Sequence, residues 1–194
     1  MTKKELKVIG EKILPNLPGF VVKDQMLFLQ TGDSILRAIF FDTSDNPRKF
    51  YVHIFILPLF VPASHLSFNF GFRIGGSWDA DAPNLILELG EKIKEEGLPF
   101  LQTKNVREVL VSFNPDKDPY ARQALAYLAV HQGNYSLAEE ELNKLISLLD
   151  LKIGWQKIML DRAEVLKSDL SRDPEKILHQ FAIWEKETLK NLGI

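Results

Sequence analysis

Residues 66–74 alternate without a break, with Leu66, Phe68, Phe70, Phe72 and Ile74 on one side and Ser67, Asn69, Gly71 and Arg73 on the other. A period of two is the signature of a strand with one covered face, so this stretch predicts the cleanest strand of the chain. Residues 49–57 predict a different kind of strand. Phe50, Val52, Ile54 and Ile56 line one side, and Tyr51, His53, Phe55 and Leu57 the other, apolar on both sides apart from one imidazole. That pattern fits a central strand covered on both faces, with helices of the second half as the expected cover. Short strands are expected at 20–23 and 26–30, followed by the turn Thr31-Gly32-Asp33, and a longer one at 35–42 that meets 49–57 around the turn Ser44-Asp45-Asn46-Pro47. Gly75-Gly76 is expected to close the sheet.

Elsewhere the period is helical. Thr2 and Glu5 fit a capping box, and Leu6, Ile9 and Ile13 form one stripe, so the chain opens with a helix over 2–14 that Pro15, Pro18 and Gly19 end. A helix over 82–96, capped by Asp79 or Asp81 and stopped by Gly97 and Pro99, is followed by a shorter one at 105–112. Four more are predicted at 119–131, 136–150, 154–167 and 174–192. In the last, Asp173 before Pro174 marks the start, and Ile177, Phe181, Trp184 and Thr188 share a stripe.

Composition sharpens the division. Twelve of the thirteen phenylalanines lie between Phe20 and Phe113, and the sequence after Asn114 is rich in Leu, Ala, Glu and Lys. Strands followed by helices predict an α+β fold: an N-terminal helix and a mainly antiparallel sheet of about five strands over 1–113, then an all-helical C-terminal part over 114–194. With 194 residues the chain can bury a core without staples, and the absence of cysteine excludes disulfides, thiolate metal sites and a cysteine nucleophile. A balance of 24 basic and 26 acidic residues argues against nucleic acid as a partner. The longest apolar run, 54–63, holds two prolines and falls short of the roughly 20 residues of a spanning helix, and the charged N-terminus lacks the features of a leader. A cytoplasmic location with no membrane partner is the expectation.

Catalytic signatures are missing. The sequence has no phosphate-binding loop, no Gly-x-Ser-x-Gly, and no clustering among its four histidines, His53, His65, His131 and His179. A triad could be assembled only in space, from Ser77 or Ser64 with His53 or His65. Asp79-Ala80-Asp81 reads as helix capping rather than a metal loop, and Glu139-Glu140-Glu141 as a solvated helix face. No catalytic residue, metal ligand or cofactor is therefore assigned. The candidates for ligand or partner binding are Arg37, Asn69 and Arg73, polar strand positions that could together hold an anion or acidic partner, and His53. Two further candidates are Phe60, in the proline-bounded segment 57–62, and Trp78. If that segment is exposed, its apolar residues mark an interface with Trp78 as anchor; if covered, they are core.

Residues 124–145 resemble a tetratricopeptide-type helical hairpin. The resemblance rests on Ala124-Leu125-Ala126-Tyr127-Leu128, then Gly133-Asn134-Tyr135-Ser136-Leu137-Ala138, then Leu142 and Leu145. It implies a tight turn at Gly133, a hairpin base plugged by Tyr135 and a close helix approach at Ala138. Arg122 stands where such a unit usually carries a large aromatic. Taken whole, the chain is similar to small bacterial α+β proteins, some of which act as immunity or accessory partners, through Phe50-Tyr51-Val52, Gly75-Gly76-Ser77-Trp78-Asp79 and Glu96-Gly97-Leu98-Pro99-Phe100-Leu101. The joint expectation is a non-enzymatic protein-binding or accessory protein, acting on another protein or on itself. The alternative is a small-ligand binder or enzyme using the sheet's polar face.

Overall fold

The computed structural model describes residues 1–29, 31–63 and 65–194. The predicted strand end at Gln30 and the Ser64 hydroxyl lie outside the described residues. Helix α1 (Lys3–Ile13) starts at the expected capping box: Thr2 accepts from the Glu5 amide, and the Glu5 carboxylate accepts the Thr2 N–H at 2.7 Å. Its buried stripe of Leu6, Ile9 and Ile13 packs on the sheet, where Gly10 lets Phe41 approach so closely that a Cβ there would sit 3.3 Å from the ring.

Strands β1 (Phe20–Lys23), β2 (Met26–Leu29), β3 (Ile35–Thr43), β4 (Lys49–Pro58) and β5 (Gly71–Asp79) form one antiparallel sheet in the order β1-β2-β3-β4-β5, a simple meander. The α+β expectation holds, and β4 lies inside the sheet. One face carries Leu27, Ile39, Phe41, Phe50, Val52, Ile54 and Ile74, all buried.

The fifth strand differs from its prediction. The ladder begins at Gly71, not Leu66, and runs on through Gly75-Gly76 to Asp79. Gly71 lies so tightly on β4 that a Cβ would meet the Ile54 carbonyl oxygen at 2.2 Å. Upstream, residues 67–70 lie outside the strand, although the Phe70 carbonyl still accepts from the Ile56 amide at 2.9 Å, and Phe68 packs against Phe40, His53 and Phe55. Downstream, Phe50 pairs with Trp78 and Val52 with Ile74, so Gly75, Gly76 and Ser77 bulge opposite Tyr51 alone. The bulge needs Gly75 and Gly76, at φ of 66° and 65°, where a side chain would be strained.

The helix expected over 82–96 is also rearranged. Asp79 Oδ1 accepts from the Asp81 amide at 3.0 Å instead of capping a helix, and α2 (Leu85–Lys92) begins after Asn84 without a side-chain cap. Gly97 does not stop it. A π-helical turn over Ile93–Gly97 inserts one residue and continues into α3 (Leu98–Leu101), with Pro99 in the first turn, where no amide is required.

The chain forms two compact units, one of Met1–Leu57 with Ser67–Lys104, the other of Pro58–Leu66 with Asn105–Ile194. In the second, α4 (Val106–Ser112), α5 (Pro119–His131), α6 (Tyr135–Leu148), α7 (Gly154–Leu170) and α8 (Pro174–Leu192) each pack on the next. Side chains of Asn105, Asp118, Asn134 and Asp173 cap α4, α5, α6 and α8. Helix α5 is buried from Ala121 to Val130, as a helix enclosed by neighbours should be. Its Tyr127 stacks on Phe181 and Trp184 at 5.3 and 5.9 Å.

Phe60 belongs to this core. It is 1% exposed and stacks on His131 at 5.0 Å and on Phe181 at 5.8 Å, so the segment around it is an internal strap and not an open patch. The strap is tied at its far end, where Ala63 donates its N–H to the Thr188 hydroxyl and accepts from Asn191. Two further expectations change. Tyr135 is exposed at the start of α6 instead of plugging the hairpin, and Glu141, read as solvated, is buried.

Candidate functional site

Two surfaces carry chemistry, one in each unit. In the sheet unit, β4 and β5 place His53 opposite Arg73. The Arg73 guanidinium lies 3.9 Å above the Tyr51 ring, a cation–π contact. His53 stacks on Phe68 with ring centres 4.3 Å apart, and Phe68 also meets Phe40 and Phe55. Its Nε2 is buried, has no hydrogen-bond partner among the described residues, and lies 3.7 Å from an Asp42 carboxylate oxygen. Burial pushes the His53 pKa below its ordinary 6.5, and Arg73 pushes the same way, while Asp42 opposes them. The imidazole is therefore neutral at pH 7. Tyr51, Asp42 and Phe68 complete a cluster whose signal in the sequence was only their alternation with core positions on neighbouring strands.

The other candidates of this unit are placed apart. Arg37 alternates with Phe40 along β3 and so points to the opposite face, where Asp33 holds it at 2.8 Å alongside the Thr31 hydroxyl and the Ile35 carbonyl. The expected anion surface with two arginines is not assembled. Asn69 is exposed in the loop before β5, its N–H bonded to the Ser67 hydroxyl. Trp78 is half-buried and used internally: its indole N–H donates to the Ile74 carbonyl at 3.0 Å and its ring covers Gly75. Ser77, on the bulge, makes no hydrogen bond to His53 Nε2. Among the described residues no group of three or more His, Cys, Asp or Glu converges as a metal site would require, and no helix is long and apolar enough to cross a membrane.

The helical unit holds a charge network that sequence reasoning missed. Arg122 on α5 pairs with Glu141 on α6 and with Asp116, and donates from Nε to the Pro115 carbonyl at 3.2 Å. Arg107 on α4 reaches the other Glu141 oxygen at 3.4 Å. The network ties three helices together. Lys144 also approaches Glu141 at 3.8 Å, and of the acidic members Glu141 is buried while Asp116 is exposed.

Helix α7 has two apolar faces. Met159, Ala163, Leu166 and Leu170 are buried inward, while Ile158 and Val165 face outward at 54% and 59% exposure. Trp155, 40% exposed, extends that outer row and stacks on Tyr120 at 4.8 Å. Between α7 and α8 runs a groove of about 410 Å³ lined in equal parts by apolar residues, Ile158, Val165, Leu166, Ile177 and Trp184, and by polar ones, Asp161, Arg162, Asp169, Lys176 and Gln180. At the end nearest the α7–α8 turn, Lys176 pairs with Asp169 at 2.8 Å. The signal was present in the sequence, as apolar residues off the buried stripe of a predicted helix.

Comparison with protein-family models, curated proteins and solved structures returns no match.

Proposed function

We propose that the protein is a non-enzymatic, cytoplasmic binding protein that engages another protein chain through the outer side of α7 and the groove beside α8. The observation that carries this reading is the exposure of Ile158 and Val165 on a helix whose opposite face is already buried. A surface helix needs only one apolar face to hold its fold. A second apolar row is a standing cost in water that association removes, at about 25 cal/mol per Å² of apolar surface covered. The tetratricopeptide-like hairpin and the resemblance to bacterial immunity and accessory proteins support the same reading.

The test is affinity capture with the full chain and with an Ile158→Glu/Val165→Glu variant. Both substituted positions are outside the core, so the melting temperature should stay within a few degrees of the parent. A protein retained by the parent and lost by the variant is the expected result. The same set of proteins on both would overturn the reading.

A second reading, a small-ligand site at the sheet face, is favoured by one observation, the buried Nε2 of His53 near Arg73 and Asp42, which has no hydrogen-bond partner among the described residues. Thermal-shift screening with phosphorylated and carboxylated metabolites tests it. A stabilising compound whose effect disappears in Arg73→Ala would support it, and a flat response would remove it.

A further inference from the structure

We infer that the occupant of the α7–α8 groove is helix α7 of a second copy of this chain, so that two copies pair their α7–α8 hairpins about a two-fold axis. The inference rests on the binding role proposed for this surface and names its partner.

The outer row of α7 runs Trp155, Ile158, Arg162, Val165 and Asp169, at spacings of three, four, three and four. Its apolar members, Trp155, Ile158 and Val165, keep the spacing of a helix-pairing seam, narrower than the stripe a helix needs to lie on a core and interrupted by Arg162 and by Asp169, which pairs with Lys176. The centre of the row also reads alike in both directions. Ile158 and Val165 lie at equal distances on either side of the Asp161–Arg162 peptide bond. When a second α7 is laid antiparallel about that point, Ile158 falls opposite Val165 of the other copy, twice. Asp161 falls opposite Arg162 of the other copy, also twice.

At the centre of the row each charge thus meets its opposite and Ile158 meets Val165, the self-complementarity that a two-fold interface requires, while Trp155 falls opposite Ser168 at the margin. An unrelated partner helix would impose no such symmetry. Within the chain, Asp161 and Arg162 form no ion pair among the described residues, which leaves both available. As chain neighbours on a helix they do not face each other. The groove fits the same arrangement: α7 of each copy lies against Ile158, Val165 and Trp184 of the other, building four helices around a common apolar seam. A contact confined to one helical hairpin is small, so the dimer should be reversible, with dissociation in the micromolar range.

Sedimentation equilibrium and light scattering on the full chain test this. The parent should pass from monomer to dimer with concentration. Asp161→Arg alone and Arg162→Asp alone should each weaken the dimer by at least roughly tenfold, since each places like charges opposite one another at two symmetric points. The double reversal, Asp161→Arg with Arg162→Asp, should regain most of the parent affinity. Val165→Glu should abolish dimerisation while leaving the circular dichroism spectrum unchanged.

A parent that stays monomeric up to roughly 1 mM, a trimer or larger assembly, or a double reversal no better than the singles would overturn the inference. The binding role is judged separately. If the parent is monomeric yet still captures a foreign protein that Ile158→Glu/Val165→Glu loses, only the second-copy occupant fails. If it is monomeric and captures nothing, both fail.

Discussion

Arg122 and Glu141 meet away from water, each stripped of hydration that the pair largely replaces, with Asp116 and the Pro115 carbonyl on one side and Arg107 on the other adding contacts. Removing one partner leaves the other charged and buried, a loss of about 3–5 kcal/mol, whereas replacing both with apolar residues of similar volume is often neutral. Glu141→Leu alone is therefore expected to lower the urea midpoint sharply. The Arg122→Met/Glu141→Leu double variant should recover most of that loss. The run Glu139-Glu140-Glu141 hid the pair, because three consecutive carboxylates look alike in sequence and only the phase of α6 turns the third inward. Arg122 was the better clue, standing where the resembling hairpin carries an aromatic.

His53 makes the opposite case, a titratable group held neutral. Its folded pKa lies below 6.5, so at slightly acidic pH the unfolded chain binds a proton that the folded chain rejects. The stabilisation from a neutral His53 is complete above about 6.5 and is lost as pH falls through the lower folded value. Unfolding free energy measured from pH 7.5 to 5 should decline in the parent, and this component of the decline should vanish in His53→Phe. A steeper decline in the variant would show that the imidazole gains, not loses, by protonation.

At the scale of elements, what could be read from sequence was set by how local the cause is. The capped starts of α1 and α8 depend on residues within three or four positions, and both were legible, whereas for α4 and α5 only the approximate start was, without the caps Asn105 and Asp118. The start of β5 was not, because it is fixed by how Gly71 lies on Ile54 and Phe55 of another strand. The alternation of Leu66, Phe68 and Phe70 imitates a strand, while the backbone obeys that remote contact. Gly71→Ala should accordingly cost about 1–3 kcal/mol or more through forced displacement of β4. Gly133, which has open space around it but a φ of 72°, should cost only the roughly 1 kcal/mol of its turn geometry on the same change. Equal losses at the two positions would contradict the packing argument. The π-helical turn at Ile93–Gly97 left no trace in the sequence, since Gly97 and Pro99 are ordinary terminators and only the chain's continuation past them reveals the extra residue.

For the molecule as a whole, the change from phenylalanine-rich strands to leucine-rich helices showed the broad α+β order. It did not show that residues 58–66 belong with the helices. Composition placed them with the aromatic half, while the ring stacking of Phe60 on His131 and Phe181 places them in the second unit. Phe60→Ala should cost that unit about 3–5 kcal/mol, read as loss of helical signal on heating. Phe60→Asp should prevent its folding.

That strap makes the helical part incomplete as a stretch of consecutive chain. A polypeptide of residues 105–194 retains every helix of the unit yet lacks Pro58–Leu66, the nine residues whose Phe60 stacks at its aromatic centre. Cut out alone, it should behave as a loosened bundle that binds a hydrophobic dye, and a synthetic peptide of those nine residues should tighten it. Any rearrangement of the gene that moves the helices to a new context must carry the strap along, so this half of the protein cannot be inherited or transplanted as a detachable module.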